Sequence, residues 1–302
     1  MNGKALKLLV LCLCIVVLFT GCASKTSNTI NIATKPMTEQ YILGEMLGLL
    51  IEQETGYEVE ITKGIGGGTS NIHPAIVKGD FDLYPEYTAT GWLMVLKKTE
   101  ILEDDIIFSE LQKEYSKQYK LTWIGKYGFN NTYAIAVRNQ VAEKYGLKTC
   151  SDLAKVSDQL VFGGNGDFIE RIDGYKALCD AYGFNFKKAI DIDLGLKYTA
   201  LENGEIDVTN AFTTDALLNV ANVTVLEDDK GHFTNYFAGT VVREDALKKY
   251  PGLKEALMKM DNILTDSEMV ELNYAVEVEK RDEKEVAREF LLKKGLLKEN
   301  DE

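Results

Sequence analysis

The sequence predicts an α/β protein built as two similar lobes. Three observations carry that expectation. After a leader, the chain opens in the order strand, helix, strand, helix, the pattern of a sheet with helices packed on it. The stretch from Gly79 to Thr88 returns at Gly204 to Thr213 with a constant offset of 125 residues. The length, 302 residues, is enough for one large domain or two ordinary ones.

The leader comes first. Residues 1–21 carry Lys4 and Lys7, no acid, and an apolar run from Leu8 to Phe19. A charged start followed by an apolar run is the layout of a signal peptide. Leu18-Phe19-Thr20-Gly21-Cys22 resembles a bacterial lipobox, with Phe19 where Leu is commoner. Cleavage there would leave Cys22 as the lipid-bearing N-terminus and 22–29 as a short polar tether. An uncleaved anchor helix is the competing reading, and the run is short for a span. In both readings the folded part lies outside the cytoplasmic membrane, at its outer face.

Removing 1–21 takes away two lysines and no acid, so the formal charge moves from −13 to −15. Such a chain is a poor partner for nucleic acid, which selects clustered positive charge. His73 and His232 are the only histidines, too few for a His-based metal site or an ordinary His general base. Neither a metal nor a cofactor is expected. Cys12 and Cys14 leave with the leader, and Cys150 and Cys179 remain, read as two separate thiols. The 15 Tyr against two Trp are the unusual count, since a Tyr ring offers a binding face as well as core volume.

Thr29 to Thr34 alternates around Ile30 and Ile32 and reads as a strand. Lys35-Pro36-Met37-Thr38 turns into a helix with apolar residues at 42, 43, 46, 47 and 50. Val59 and Ile61 mark a second strand. The glycine-rich stretch Gly64 to Asn71 lacks a phosphate-loop ending and the third glycine of a dinucleotide loop, so it reads as a tight turn before a helix to about Lys78.

The repeated stretch aligns Gly79 with Gly204, Asp82 with Asp207, Tyr87 with Phe212 and Thr88 with Thr213. An amphipathic helix precedes each copy, near 72–78 and 196–203, which suggests duplicated lobes. The two aspartates read as turn residues that accept hydrogen bonds from nearby amides. The second lobe begins near Ala134, with a helix opening at Asp152-Leu153 and a strand over Leu160 to Gly163. From Asp245 onward the chain reads as helical, with Thr265-Asp266-Ser267-Glu268 as a capping box. The mixed charge of 277–288 reads as a solvated surface.

Several segments, in order, resemble the osmoprotectant-binding lipoproteins of ABC importers, which capture glycine betaine, carnitine, choline and related compounds. They are Thr34 to Gln40, Gly79 to Gly91, Tyr127 to Ala134, Arg171 to Gly174, Ala211 to Asp215 and Glu271 to Val276. The resemblance implies a type II periplasmic-binding-protein fold, two α/β lobes joined by two crossovers with the ligand cleft between them. It divides the chain into lobe one at 30–131 and 240–302, and lobe two at 132–239.

It also implies a cage of aromatic rings for a quaternary ammonium, with Tyr87, Tyr133, Phe212 and Tyr236 as the matching positions. Phe212 stands where many relatives have Tyr and keeps the ring face. Tyr127 competes with Tyr133 for one place. A trimethylammonium cannot donate a hydrogen bond, so π-faces and shape must recognise it. Lys35, Thr90 and Arg171 match the positions that hold a ligand carboxylate, with Asn131 and Asp167 beside them. Ordinary core packing is the competing reading for each ring, and a salt bridge to Asp167 or Asp173 for Arg171.

The expected function is capture of a quaternary-ammonium solute by a monomeric binding protein, which delivers it to a permease and its ATPase. A second reading keeps the fold and changes the ligand to ergothioneine, choline or an amino acid. An exported enzyme, hinted at only by Ser70 near His73, lacks a third group. An adhesin would leave the paired aromatics unexplained.

Overall fold

The structure, a computed structural model, describes residues 28–100 and 102–298. The segment 1–21, Cys22 and most of the tether lie outside the described residues. Two five-stranded sheets form the frame. The first takes β1 (Thr29–Ala33), β2 (Glu58–Thr62), β3 (Leu83–Tyr87), β4 (Leu121–Asn130) and β10 (Phe237–Arg243), in the spatial order β2-β1-β3-β10-β4. The second takes β5 (Tyr133–Arg138), β6 (Val161–Gly164), β7 (Lys188–Asp191), β8 (Val208–Phe212) and β9 (Val223–Leu226), in the order β7-β6-β8-β5-β9.

The two sheets have the same design. In each, three strands are parallel and the fourth in spatial order is antiparallel to the central one. That antiparallel strand is the one reached by a crossover: β5 arrives from sheet one and β10 from sheet two. The central strands β3 and β8 start and end 125 residues apart, as the repeat predicts. All five residues of β3 are buried, because both faces of a mostly parallel sheet are covered.

The repeat residues have matching physical roles. Asp82 Oδ2 accepts the Asn31 amide at 2.9 Å, and Asp207 Oδ2 accepts the Val161 amide at 2.9 Å, so each aspartate ties its strand to a parallel neighbour. Gly79 and Gly204 have φ of 100° and 74°, where a side chain is strained. A Cβ on them would meet the guanidinium of Arg243 or Arg138 at 2.5 or 3.0 Å. Thr88 Oγ1 accepts the Phe237 amide and Thr213 Oγ1 the Thr132 amide, both at 3.1 Å. The end of each central strand is thereby tied to a crossover.

The helix Thr38–Thr55 starts where Pro36 and Thr38 suggest, with Met37 at its cap position and no side-chain cap. It is buried along most of its length between sheet one and the helices Leu253–Met258, Asp266–Glu277 and Glu283–Lys293. The glycine-rich stretch is a turn into the helix Thr69–Lys78. The helix expected at Asp152 opens earlier, over Cys150–Ala154, with Thr149 and Asp152 forming a capping box. The Thr265–Glu268 capping box is present. Cys150 and Cys179 are separate thiols, Cys150 buried and Cys179 half-buried.

Every charged residue over 277–288 is exposed or half-buried, as a solvated surface requires, with one addition at its start. Glu277 is half-buried, burial raises its carboxyl above the usual range, and with Lys280 it lines the cleft between the sheets. Charge patterning along a sequence cannot register a second lobe facing a helix end.

Candidate functional site

The site grows from the C-terminal ends of the two central strands. Tyr87 ends β3 and Phe212 ends β8, and a carboxylate accepts each backbone N–H there: Glu86 for Tyr87 at 2.7 Å, Asp215 for Phe212 at 3.0 Å. Tyr133 opens β5 directly opposite Phe212 in the antiparallel register. Tyr236 lies at the end of the return crossover, its amide bonded to Asn130 Oδ1 and its carbonyl to the Asn131 amide.

Tyr133 is the hub of the rings. Its centroid is 4.8 Å from Phe168, 5.0 Å from Phe212, 5.5 Å from Tyr236 and 5.8 Å from Phe233. Tyr133 and Tyr236 are 7% and 5% exposed. Burial lifts both phenols above their ordinary range, so both stay neutral. Arg171 lies over two of these rings, 6.0 Å from the Tyr133 centroid and 5.7 Å from that of Tyr236.

Arg171 is spoken for by a neighbour. Its Nε and Nη2 grip Asp173 at 2.9 and 2.8 Å, and Tyr236 donates its hydroxyl to the same carboxylate. Nη1 stands 3.8 Å from the exposed Asp167. Burial works to raise the Asp173 carboxyl, but the Arg171 charge and these hydrogen bonds hold it below its usual range. The salt bridge weighed against ligand contact for Arg171 is therefore present. Gly174 makes the turn possible, since a Cβ there would sit 2.0 Å from the Phe168 carbonyl oxygen.

Two more cations face rings in the same manner. Lys35 Nζ lies 4.7 Å from the Tyr87 centroid and pairs with Glu86, which Thr69 also bonds at 2.6 Å. Lys197 Nζ lies 5.1 Å from the Phe212 centroid and pairs with Asp215 at 2.6 Å. Each buried cation thus has its own acid, as the cost of burying charge requires.

Tyr87 also donates its hydroxyl to Glu39, which accepts Asn131 Nδ2 at 2.7 Å. Burial raises the Glu39 carboxyl, against the lowering effect of those hydrogen bonds and of nearby Thr214 and Asn273. Thr90 is buried in a π-helical turn just beyond β3.

Two cavities flank the rings. The larger, about 830 Å³, opens between the sheets and is lined by Glu39, Asn165, Lys197, Phe212, Thr214 and Asn273 among others. Its volume falls in the range of small-molecule sites. The smaller, about 240 Å³, has Tyr236, Phe233, Asp173 and Trp92 in its wall. The Tyr133 cluster spans the distance from one to the other. Tyr87, Tyr133, Arg171, Lys35 and Thr90 are not among the residues that line either cavity.

Tyr127 belongs elsewhere. It is fully buried in sheet one, where its hydroxyl shares a 2.7 Å hydrogen bond with Thr240. Tyr133, which continues the burial alternation of Tyr127, Phe129 and Asn131, is the one that reaches the ring cluster. His73 packs edge-on to Tyr115 and Tyr119, and burial lowers its ring below the usual histidine range. Sequence reasoning missed Phe168, Phe233, Glu39 and Lys197. Glu39 lay inside the segment from Thr34 to Gln40, and Phe168 follows Asp167, but no spacing marks either as facing the cleft.

Comparison with known proteins agrees with this architecture. The profile of the substrate binding domain of ABC-type glycine betaine transport systems matches residues 28–293. A Helicobacter pylori protein named ergothioneine transport permease/ergothioneine binding protein EgtU is 46% identical over 88% of this chain and 47% of its own. The chain thus spans about half the length of that relative. The carnitine transport binding protein OpuCC of Listeria monocytogenes is 36% identical over 90% of this chain and 89% of its own. The crystal structure of a glycine betaine/carnitine/choline ABC transporter aligns with a TM-score of 0.72 at 32% identity, covering 88% of this chain and 99% of that one. These relatives are transport proteins and none is named as an enzyme. The chain belongs to the family of ABC-type glycine betaine substrate-binding domains, with the type II periplasmic-binding-protein fold.

Proposed function

From that membership we propose that this chain captures, outside the cytoplasmic membrane, a small zwitterion with a trimethylammonium head and a carboxylate. It then delivers the ligand to an ABC permease driven by a cytosolic ATPase. The observation that carries the reading is the ring cluster around Tyr133 and Phe212 in sheet two, with Tyr87 at the matching strand end of sheet one and each nearby cation matched by its own acid. Cations already paired with acids suit a ligand that brings both signs, because it adds no net charge. The rings Tyr87, Tyr133, Phe212 and Tyr236 hold the methylated head, and each desolvated face contributes roughly 1–2 kcal/mol. Lys35, Thr90 and Arg171 hold the carboxylate, with Arg171 turning part of its fork from Asp173 to the ligand.

The rings come from both lobes, so closure about the crossovers near 131 and 237 completes the cage. Cys22 anchors the monomeric protein to the outer face of the membrane through lipid. No catalysis is assigned to it. Glycine betaine and carnitine are the first ligands to test. Ergothioneine, itself a trimethylammonium carboxylate, is the second reading. It is favoured by the identity with the Helicobacter protein and by a cavity of about 830 Å³, roomy for glycine betaine. Calorimetry with glycine betaine, carnitine, ergothioneine, choline and proline tests the proposal. Micromolar or tighter binding of a trimethylated zwitterion is expected; selective binding of proline would sink it.

A further inference from the structure

The helix Asp266–Glu277 packs on the sheet-one side, against β4 and Thr38–Thr55, yet one of its faces reaches sheet two. Asp266, Asn273 and Glu277 follow at steps of seven and four residues, which sets them on one stripe. Asp266 Oδ1 accepts the Asn130 amide at 2.7 Å, where β4 gives way to the first crossover. Asn273 Nδ2 donates to the Thr214 carbonyl at 2.9 Å, just past the end of β8. Glu277 shares the wall of the larger cavity with Lys197 and Asp215 from the sheet-two side. The short helical turn Ala216–Asn219, which follows β8, packs on the same helix.

The turn that Asn273 grips carries the ring of Phe212. Phe212 N–H donates to Asp215 Oδ2 and Asp215 N–H to the Phe212 carbonyl, both at 3.0 Å, so the turn is closed on itself. Thr213 Oγ1 donates to the Asn130 carbonyl at 2.8 Å, which ties the turn to the crossover. Thr214 is 1% and Asn273 4% exposed, so bulk water does not compete for the bond between them. Asn273 stands about 10 Å along the helix from Asp266, at 1.5 Å per residue. A rotation of about 15° at the Asn130 contact, the scale of known interdomain movements, shifts Asn273 against Thr214 by about 2–3 Å. A hydrogen bond of 2.9 Å does not survive that stretch, while the Asp266 bond at the pivot does.

We propose that Asn273 is a positioning residue for solute capture: its bond to the Thr214 carbonyl forms as the lobes close, latches them and seats the Phe212 turn. The latch sets how long a bound solute is held. Asn273 acts through Thr214 and not on the solute, so its effect is the same for every ligand. This rests on the capture reading above and is independent of which solute is bound. The lobes are latched in the same way in the ligand-free protein, since both partners of the bond belong to the chain.

The test compares the full folded wild type with Asn273→Leu, which keeps the bulk and removes the donor. Stopped-flow fluorescence gives kon and koff for glycine betaine, carnitine, ergothioneine and choline. Loss of one buried hydrogen bond should raise koff about threefold to tenfold, by the same factor for each ligand that binds, with kon no slower. An asparagine that only supports its helix would lower the Tm and leave koff where it was; that result overturns the latch. So does a loss carried by kon, or a factor that differs between ligands, which would set Asn273 against the solute itself. Small-angle X-ray scattering of the ligand-free proteins separates the latch from the ligand reading. Asn273→Leu should increase the open fraction and with it the radius of gyration, and an unchanged radius overturns the latch. If no ligand of the panel binds wild type, the betaine reading fails and the scattering result alone decides the latch. Should Asn273→Leu not fold, Asn273→Ala replaces it on the same readouts.

Discussion

Replacing Tyr133 by Leu is the most direct test of the ring cluster. Leu keeps aliphatic bulk at a site that is 7% exposed and removes the π-face. Tyr133 contacts four rings with centroids between 4.8 and 5.8 Å. Aromatic pairs contribute about 0.5–1.5 kcal/mol each beyond their buried area. With Leu restoring part of the packing, the folding loss should be about 2–3 kcal/mol, or a Tm lower by roughly 4–10 °C. The protein should remain folded, which lets binding be measured. Losing one desolvated face costs about 1–2 kcal/mol of binding, a roughly fivefold to thirtyfold weaker Kd for a trimethylammonium ligand. Tyr127→Phe is the comparison. It removes the hydroxyl bonded to Thr240, should cost about 0.5–1.5 kcal/mol of stability, and should leave Kd within about twofold. Calorimetric titration and a thermal melt of each variant give all four numbers. An unchanged Kd for Tyr133→Leu, together with a weakened one for Tyr127→Phe, would refute the choice of ring.

Arg171→Ala should weaken carboxylated ligands at least tenfold more than choline; equal losses would show that Arg171 serves only its pair with Asp173. Glu39 gives a pH signature with a definite sign. Its folded pKa is raised, so the wild type binds a proton more readily folded than unfolded and loses stability as pH rises from about 4.3. Glu39→Gln removes that loss, so its Tm relative to wild type should rise between about pH 4 and the raised folded value; a pH-independent difference in melting scans would contradict the burial argument. Gly174→Ala should cost at least about 2 kcal/mol, because a Cβ 2.0 Å from the Phe168 carbonyl forces the Arg171–Asp173 turn open. Denaturant midpoints would show it, and an unperturbed midpoint would mean that the turn relaxes freely.

Much of the frame was legible because it rests on local rules. Alternation located β1 and β2, the apolar run Leu160 to Phe162 located β6, and the helical period located Thr38–Thr55. The 125-residue offset survived because Gly79, Asp82 and Thr88 each carry a backbone constraint that Gly204, Asp207 and Thr213 carry again. The partners of those residues were not legible. Arg243 and Arg138 occupy equivalent strand ends, but the crossovers exchange their strands between lobes, so no constant offset links them.

The candidate site divides along the same line. Composition, the repeat and the resemblance together named the rings Tyr87, Tyr133, Phe212 and Tyr236, since ring type is written in the residue itself. Sequence alone left Tyr127 and Tyr133 as rivals. The strand break between β4 and β5 decides between them, because it puts Tyr127 inside sheet one and Tyr133 opposite Phe212. Only the folded chain pairs each cation with its acid and brings Glu39 and Asn273, 234 positions apart, into one wall. By itself the sequence determined which chemistries were available and where the repeated stretches fall, because those follow from side-chain type and local pattern. The tertiary structure decided which groups meet, because that depends on contacts between segments far apart in the chain.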